Sequence, residues 1–108
     1  MTVRELMAQA GLTAAVLADG DREVTGGYVG DLLSWVMGRV RAGDAWVTIM
    51  SNRNIVAVAA LADPSCVILA ENVSPDEGVA ALAEEKGINL LLSPDNAFTL
   101  AARIGSLL

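Results

Sequence analysis

The chain has 108 residues, of which 54% are hydrophobic and 19% charged, so it can bury one core and is not disordered. Its net charge is −6 and its seven basic residues are dispersed, which argues against nucleic acid or an anionic membrane surface as a partner. The longest apolar run, residues 55–62, is far shorter than the roughly 20 residues of a transmembrane helix. We expect one domain, residues 1–108.

The N-terminus and the cysteine usage indicate a reducing compartment. Residues 1–11 mix charged and amide side chains with apolar ones and lack the pattern of a secretory signal. Cys66 is the only cysteine, which excludes a disulfide framework within the chain. We therefore expect a cytoplasmic protein.

Short apolar runs alternate with helical patterns along the whole chain. The first half of the chain predicts a helix over 3–10 ended by Gly11, a strand over 13–18, a short strand over 22–25, a helix over 29–40 and a strand over 45–50. The second half predicts a helix from the 51–54 loop to 62, a strand over 66–70, a helix that begins at Ser74 and Pro75, a strand over 88–92, and a last helix that begins at a second Ser-Pro step at Ser93. Glu77 would complete a capping box with Ser74. This alternation predicts an α/β domain with a mainly parallel sheet of about four to five strands flanked by helices.

The segment DREVTGG, residues 21–27, is the first candidate for a ligand site. Gly26 and Gly27 predict a tight turn whose N–H groups, with the following helix N-terminus, could receive an anion. Arg22 and Thr25 would help as a guanidinium and a hydroxyl donor. The segment lacks the lysine of a nucleotide-hydrolase phosphate loop and the spacing of a dinucleotide loop, which favours a purely structural turn instead.

The second candidate is the loop formed by Ser51, Asn52, Arg53 and Asn54. It follows a predicted parallel strand, and ligands in such sheets gather at the carboxyl ends of the strands. The alternative is that Ser51 or Asn52 only caps the next helix. Arg53 opposes the helix dipole there, so we expect an acidic residue or a ligand anion beside it. One hypothesis therefore places an anionic small molecule, such as a nucleotide or a phosphorylated metabolite, between the glycine turn and this loop.

The helix that contains residues 55–62 is apolar on every side, so more than one of its faces must be covered. A second copy of the chain is the natural cover, and its alternative is the C-terminal helix of the same subunit. Trp35 could extend the contact, because tryptophan is enriched at interfaces. The predicted interface of this homodimer consists of Trp35, Ile55, Val56, Val58, Ala59, Leu61 and Ala62.

No catalytic group stands out. The chain has no histidine, which removes the commonest general base and metal ligand, and one cysteine cannot build a zinc site. The acidic pairs Asp76/Glu77 and Glu84/Glu85 are typical of a solvated helix face. We expect no cofactor, no metal site and no enzyme activity.

Two segments resemble the DRTGG domain family, which is named after an Asp-Arg-Thr-Gly-Gly signature. Asp21, Arg22, Thr25, Gly26 and Gly27 supply these residue types, with Glu23 and Val24 inserted before the threonine. The segment GDAWVTIMSNRNIVAVAALAD, residues 43–63, adds to the resemblance, which extends over nearly the whole chain.

The resemblance implies a regulatory or assembly module that works beside catalytic domains. DRTGG domains occur alone, in some phosphotransacetylases, and between the nucleotide-sensing domains of certain family II pyrophosphatases. They are also similar to the N-terminal domain of HPr kinase/phosphorylase, although this chain has nothing like the kinase's phosphate loop. The resemblance thus predicts a non-enzymatic, homodimeric module that acts with a metabolic or signalling enzyme.

Overall fold

Five strands and five helices follow one another along the chain, and the computed structural model describes all 108 residues. The helices are α1 (Val3–Ala10), α2 (Leu33–Arg39), α3 (Asn54–Ala62), α4 (Val79–Glu85) and α5 (Ala97–Leu107), and the strands are β1 (Thr13–Val16), β2 (Gly26–Val29), β3 (Asp44–Thr48), β4 (Cys66–Leu69) and β5 (Leu90–Leu92). The strands form one sheet in the order β1-β5-β4-β3-β2. Strands β2, β3, β4 and β5 run parallel to one another and β1 is antiparallel to β5, which confirms the predicted α/β fold.

Helices cover both faces of the sheet. Helices α1 and α5 pack on one face, where Leu6 and Leu100 meet Val47 of β3, while α2, α3 and α4 pack on the other, where Ile55 meets Trp46. Every residue of β3 and β4 is buried, which is why residues 45–47 and 66–69 appear in the sequence as apolar runs without alternation. None of the five helices has the length and the apolar character needed to cross a membrane.

The first helix has both of its ends specified locally. The Glu5 N–H donates to Thr2 Oγ1 (3.1 Å), and Glu5 Oε1 accepts from the Thr2 N–H (2.9 Å), so the two residues form a capping box. These hydrogen bonds, from the backbone and then the side chain of Thr2, hold the pKa of the Glu5 carboxyl below its usual value. At the other end Gly11 has a φ of 68°, as predicted for a left-handed cap.

Both predicted Ser-Pro caps are wrong. Helix α4 begins at Val79 after Gly78, because Asp76 is tied to the loop that follows β3: its N–H donates to the Ser51 carbonyl (2.9 Å) and its carboxylate accepts from Ser51 Oγ (2.8 Å). Helix α5 takes Asn96 as its N-cap, whose side chain accepts from the Thr99 N–H (2.8 Å). Asn96 thus supplies the side-chain cap that the sequence analysis had placed at Ser93.

The predicted turn at Gly26 and Gly27 is also wrong, because both residues lie inside β2. Neither has a positive φ. A Cβ on Gly26 would lie 2.7 Å from Asp44 Oδ1, so this glycine allows the close approach of a neighbouring side chain. Residues 22–25 contain only an isolated bridge from Glu23 to Thr2, and the helix predicted from residue 29 begins four residues later.

The predicted dimer interface is largely wrong for α3. Ile55, Val56 and Ala59 are buried against the chain's own sheet, with α2 and α4 on either side, so they cannot contact a second copy. Helix α5, the predicted alternative cover, lies on the opposite face. Val58 and Ala62 are half-buried against the same core. Leu61 remains exposed over 75% of its surface.

Candidate functional site

The two predicted ligand segments lie at opposite ends of the sheet. Gly26 pairs with Asp44 at the start of β3, whereas Ser51 follows the end of that strand. Five residues of strand separate the two ends, which is roughly 15 Å. The glycine pair and the 51–54 loop therefore line separate cavities.

The 51–54 loop is occupied by its own contacts. Asn52 Oδ1 accepts from the Asn54 N–H (2.9 Å) just before α3, as the capping alternative predicts, and Ser51 binds Asp76. Arg53 lines an open cavity of about 300 Å³ together with Glu77, Gly78 and three residues of α4. Arg53 belongs to none of the four ion pairs, so the acidic residue or ligand anion expected beside it stays a prediction.

Arg22 is engaged in holding the chain together. Its Nη1 forms an ion pair with Asp63 Oδ1 (2.9 Å), and its Nη2 donates to the Asp63 carbonyl oxygen (2.7 Å). Asp63 ends α3 in the left-handed conformation, with a φ of 64°. Arg22 thus joins the segment before β2 to the end of α3 through both of its Nη atoms.

An open cavity of about 360 Å³ lies at the amino end of β2, and the two arginines in it were not among the predicted site residues. Its lining combines two arginines, one carboxylate, two hydroxyls and the glycine backbone: Thr25, Gly26, Gly27, Tyr28, Arg39, Arg41, Ala42 and Asp44. Neither Arg39 nor Arg41 belongs to any of the four ion pairs. The Arg41 N–H donates to Asp44 Oδ2 (2.8 Å), which fixes the carboxylate at the cavity floor. The arrangement could bind a phosphate group.

The outer edge of β2 has no strand partner. Strand β2 is the last of the sheet and pairs only with β3. The Gly30 N–H donates to the Val47 carbonyl (3.1 Å) and extends that pairing by one residue. Because backbone groups of successive strand residues point to opposite edges, those of Gly27 and Val29 point away from β3. Val29 also exposes 49% of its surface.

Four exposed apolar side chains and one glycine form a set that we call the β2 edge surface: Gly27, Val29, Leu32, Trp35 and Leu108. Leu32 and Trp35 lie at the start of α2 and expose 61% and 54% of their surfaces. On the other face, Leu108 lines a cavity of about 210 Å³ beside Gly27 and Val29. Trp35 was predicted at an interface, whereas Val29 and Leu32 were predicted to lie inside the helix over 29–40.

The single cysteine is a packing residue. Cys66 is fully buried at the start of β4, and this burial raises the pKa of its thiol to about 12, although the charge of Arg22 lowers it slightly. The thiol is therefore protonated and unreactive at neutral pH. No group of three or more Cys, Asp or Glu side chains is arranged to hold a metal ion.

A family model for the DRTGG domain matches residues 10–107 of the chain. The chain belongs to the DRTGG domain family. In this DRTGG domain the signature residues have structural partners: Asp21 pairs with Arg4 (3.4 Å), Arg22 with Asp63, and Gly26 lies against Asp44. The signature thus fixes the segment that leads into β2.

The DRTGG domain is similar to a crystal structure of the CBS and DRTGG domains of the regulatory region of Clostridium perfringens pyrophosphatase, complexed with the activator diadenosine tetraphosphate. The TM-score is 0.69 at 15% sequence identity, and the match covers 95% of this chain. The chain spans 45% of that structure, so the two share the fold of one part. A comparison with curated proteins gives no match.

Proposed function

We propose that this DRTGG domain is a non-enzymatic regulatory module that forms a homodimer and acts with a partner enzyme. The observation that carries the proposal is the shared fold, over 95% of the chain, with part of a pyrophosphatase regulatory region. The family match over residues 10–107 supports the same role. A module of this kind influences an enzyme through contact surfaces, and the β2 edge surface is an unpaired one.

Self-association is tested by sedimentation equilibrium of the purified domain between about 1 and 100 μM. Specific dimers that bury a standard interface are populated in this range. A mass of twice 11.2 kDa is expected. A monomer throughout the range would contradict the homodimer.

The partnership is tested on the enzyme itself. We expect an enzyme that co-purifies with the domain from its native host to change its kcat or KM when the purified domain is added. The control is the same assay with the heat-unfolded domain. An enzyme whose rate constants do not respond would contradict the regulatory role for that pair.

A second candidate function is binding of a nucleotide or a phosphorylated metabolite at the amino end of β2. It is favoured by the cavity in which Arg39 and Arg41 face Thr25 and the glycine backbone. Arginine guanidinium groups and strand-end N–H groups are the donors that phosphate oxygens accept. This cavity replaces the wider site predicted from the sequence, since the 51–54 loop lies at the other end of β3.

The binding function is tested by thermal unfolding with diadenosine tetraphosphate, ATP or pyrophosphate. A ligand at 100 times its Kd stabilises the folded state by about 2.7 kcal/mol, which raises the Tm by several degrees. Arg41→Gln should abolish the shift, and Arg53→Gln, a matched change at the opposite end of the sheet, should preserve it. If both variants lose the Tm shift equally, or if none of the three compounds shifts the Tm of the original protein, this site is contradicted.

A further inference from the structure

We propose that two copies of this DRTGG domain join by antiparallel pairing of their β2 strands, so that their two sheets continue into one. The inference rests on the homodimer proposed above and names the surface that forms it. Each copy would contribute its five strands in the order β1-β5-β4-β3-β2, and the twofold axis would pass between the two β2 strands.

The edge of β2 has none of the features that normally prevent such pairing. Proteins protect a sheet edge with charged side chains, proline, a bulge or a covering element. The sequence of β2 is Gly-Gly-Tyr-Val, its pairing with β3 continues from Gly26 to Val29 without a register shift, and both Gly27 and Val29 are exposed. The outward N–H and C=O groups of these two residues are thus free to bond another strand.

The extent of the strand defines the register. Strand pairing runs from Gly26 to Gly30, so a twofold axis at Tyr28 gives the longest overlap. Gly27 of each copy then lies opposite Val29 of the other. Both are outward-facing residues, and each such antiparallel pair exchanges two hydrogen bonds, which gives about four across the interface.

The missing side chain of Gly27 makes room for this pairing. In the proposed register, the Val29 side chain of one copy lies beside Gly27 of the other. The cavity of about 210 Å³ on that face is lined by Gly27, Ile104 and Leu108, among others, and would receive the valine. A half-exposed valine and an exposed C-terminal leucine would become buried together, which the hydrophobic effect favours.

The charges at the two ends of β2 are complementary in an antiparallel pair. Asp31 follows the carboxyl end and is held in place, since its Oδ1 accepts from Thr48 Oγ1 (2.8 Å) and the Ile49 N–H (2.9 Å). Arg39 and Arg41 lie at the amino end. The twofold axis places the carboxyl end of each β2 beside the amino end of the other, so Asp31 and the arginines lie at the same end of the interface, whereas a parallel arrangement would place like ends together.

The apolar surface on the α2 face completes the interface. A standard interface takes about 800 Å² from each partner, which is about 15% of the 5471 Å² surface of this domain. Arg39 of α2 lines a cavity together with Tyr28 of β2, so α2 lies on the β2 side of this face, and the same axis would bring the two α2 helices toward each other. Arg39, whose guanidinium stacks 3.8 Å from the centre of the Trp35 ring, already orders that tryptophan. The occupant that fits these self-complementary features is a second copy of the chain.

The surface is tested with Val29→Lys and the matched control Leu61→Lys, which places the same charge on the outer face of α3. Both residues are exposed, so both variants should fold, which circular dichroism checks. A lysine at residue 29 introduces a charge into the interface and should raise the dimer Kd by about 100-fold or more. Leu61→Lys should leave the Kd within about twofold of the original value.

Hydrogen exchange provides a readout that needs no variant. The amides of Gly27 and Val29 should exchange more slowly as the concentration rises and the dimer forms. A dimer in which these amides exchange fast, or which Val29→Lys leaves intact, would overturn the β2 surface while the homodimer stands. Dissociation by Leu61→Lys alone would overturn it in favour of α3. A strict monomer would overturn the proposed homodimer itself, and slow exchange only with a partner enzyme would assign the edge to that enzyme.

Discussion

The two edges of the sheet have the same length and opposite character. Strands β1 and β2 each have four residues, and each is paired on one side only. The β1 ladder shifts register between Ala14 and Val16, so its outer edge is irregular. The β2 ladder runs without interruption and continues to Gly30.

This difference determines how copies of the domain can assemble. A sheet with two open edges could add copies at both ends without limit, which leads to fibres. A sheet with one irregular edge and one regular edge can extend only once, by joining like edges around a twofold axis. The comparison therefore connects the irregularity in β1 with a closed dimer through β2.

The largest loss of folding stability is expected from replacing the buried tryptophan that is hydrogen-bonded to the end of β2. Trp46 is fully buried in β3, and its Nε1–H donates to the Gly30 carbonyl (2.9 Å). Trp46→Ala should lower the free energy of unfolding by about 3–5 kcal/mol. Trp35→Ala, at the half-exposed tryptophan, should cost less than about 1 kcal/mol. Urea unfolding followed by circular dichroism measures both, and similar losses would contradict the assignment of Trp46 to the core.

The next largest loss of folding stability is expected at Asn89, which binds the segment that follows β1. Asn89 is buried; its Oδ1 accepts from the Asp19 N–H (2.8 Å) and its Nδ2 donates to the Asp19 and Ser65 carbonyls (2.8 and 2.9 Å). Asn89→Ala should cost about 2–3 kcal/mol, because buried backbone groups lose their partners. The control Asn54→Ala, at an exposed asparagine, should cost little. Unchanged amide exchange at Asp19 in Asn89→Ala would show that this residue does not hold the β1 side.

The glycines at the β2 edge should differ in how much folding stability is lost when each is replaced by alanine. A Cβ on Gly30 would lie 2.7 Å from the Tyr28 ring, whereas one on Gly27 would have its nearest neighbour, the Ala45 carbonyl, at 3.5 Å. Gly30→Ala should therefore cost about 1–2 kcal/mol, since the ring must move. Gly27→Ala should be neutral within about 0.5 kcal/mol. A larger loss at Gly27 than at Gly30 in urea unfolding would contradict this account.

Local patterns in the sequence predicted the centre of the sheet better than its edge. The two strands that are buried on both faces were found from their apolar runs, and α1 was found from its pattern and Gly11. Gly26 and Gly27 were misplaced because the contact that requires a small residue comes from Asp44, a long way along the chain. A glycine pair by itself does not distinguish a turn from a strand with close neighbours.

The candidate site depended on strand order, which the sequence does not display. Nothing in residues 26–29 shows that they form the last strand, because that position follows from pairing among distant segments. The apolar helix over 55–62 was assigned to an interface because its position at the middle of a sheet face, between two other helices, was unknown. Arg39 and Arg41 were missed since the fold alone brings them to the glycine backbone.

A smaller loss of folding stability is expected at Thr2, beside the segment that leads into β2. Thr2→Ala should cost about 1 kcal/mol and raise the pKa of Glu5 toward its ordinary value. Because the folded-state pKa of Glu5 is lowered, its stabilising effect is present above the unfolded pKa of about 4.3 and is lost as the pH falls through the lower folded value. NMR titration of Glu5 measures the shift, with Thr99→Ala as the control. An unchanged Glu5 pKa in Thr2→Ala would contradict the capping box.

The smallest effect should come from a charge on the other edge of the sheet. Ala14 is exposed on β1, as Val29 is on β2. Ala14→Lys should leave the dimer Kd within about twofold of the original value, because the register shift already prevents pairing at this edge. Sedimentation equilibrium beside Val29→Lys makes the comparison direct, with the same side chain introduced on each outer strand. Dissociation of the dimer by Ala14→Lys would mean that β1 carries the contact and that its irregular ladder does not prevent association.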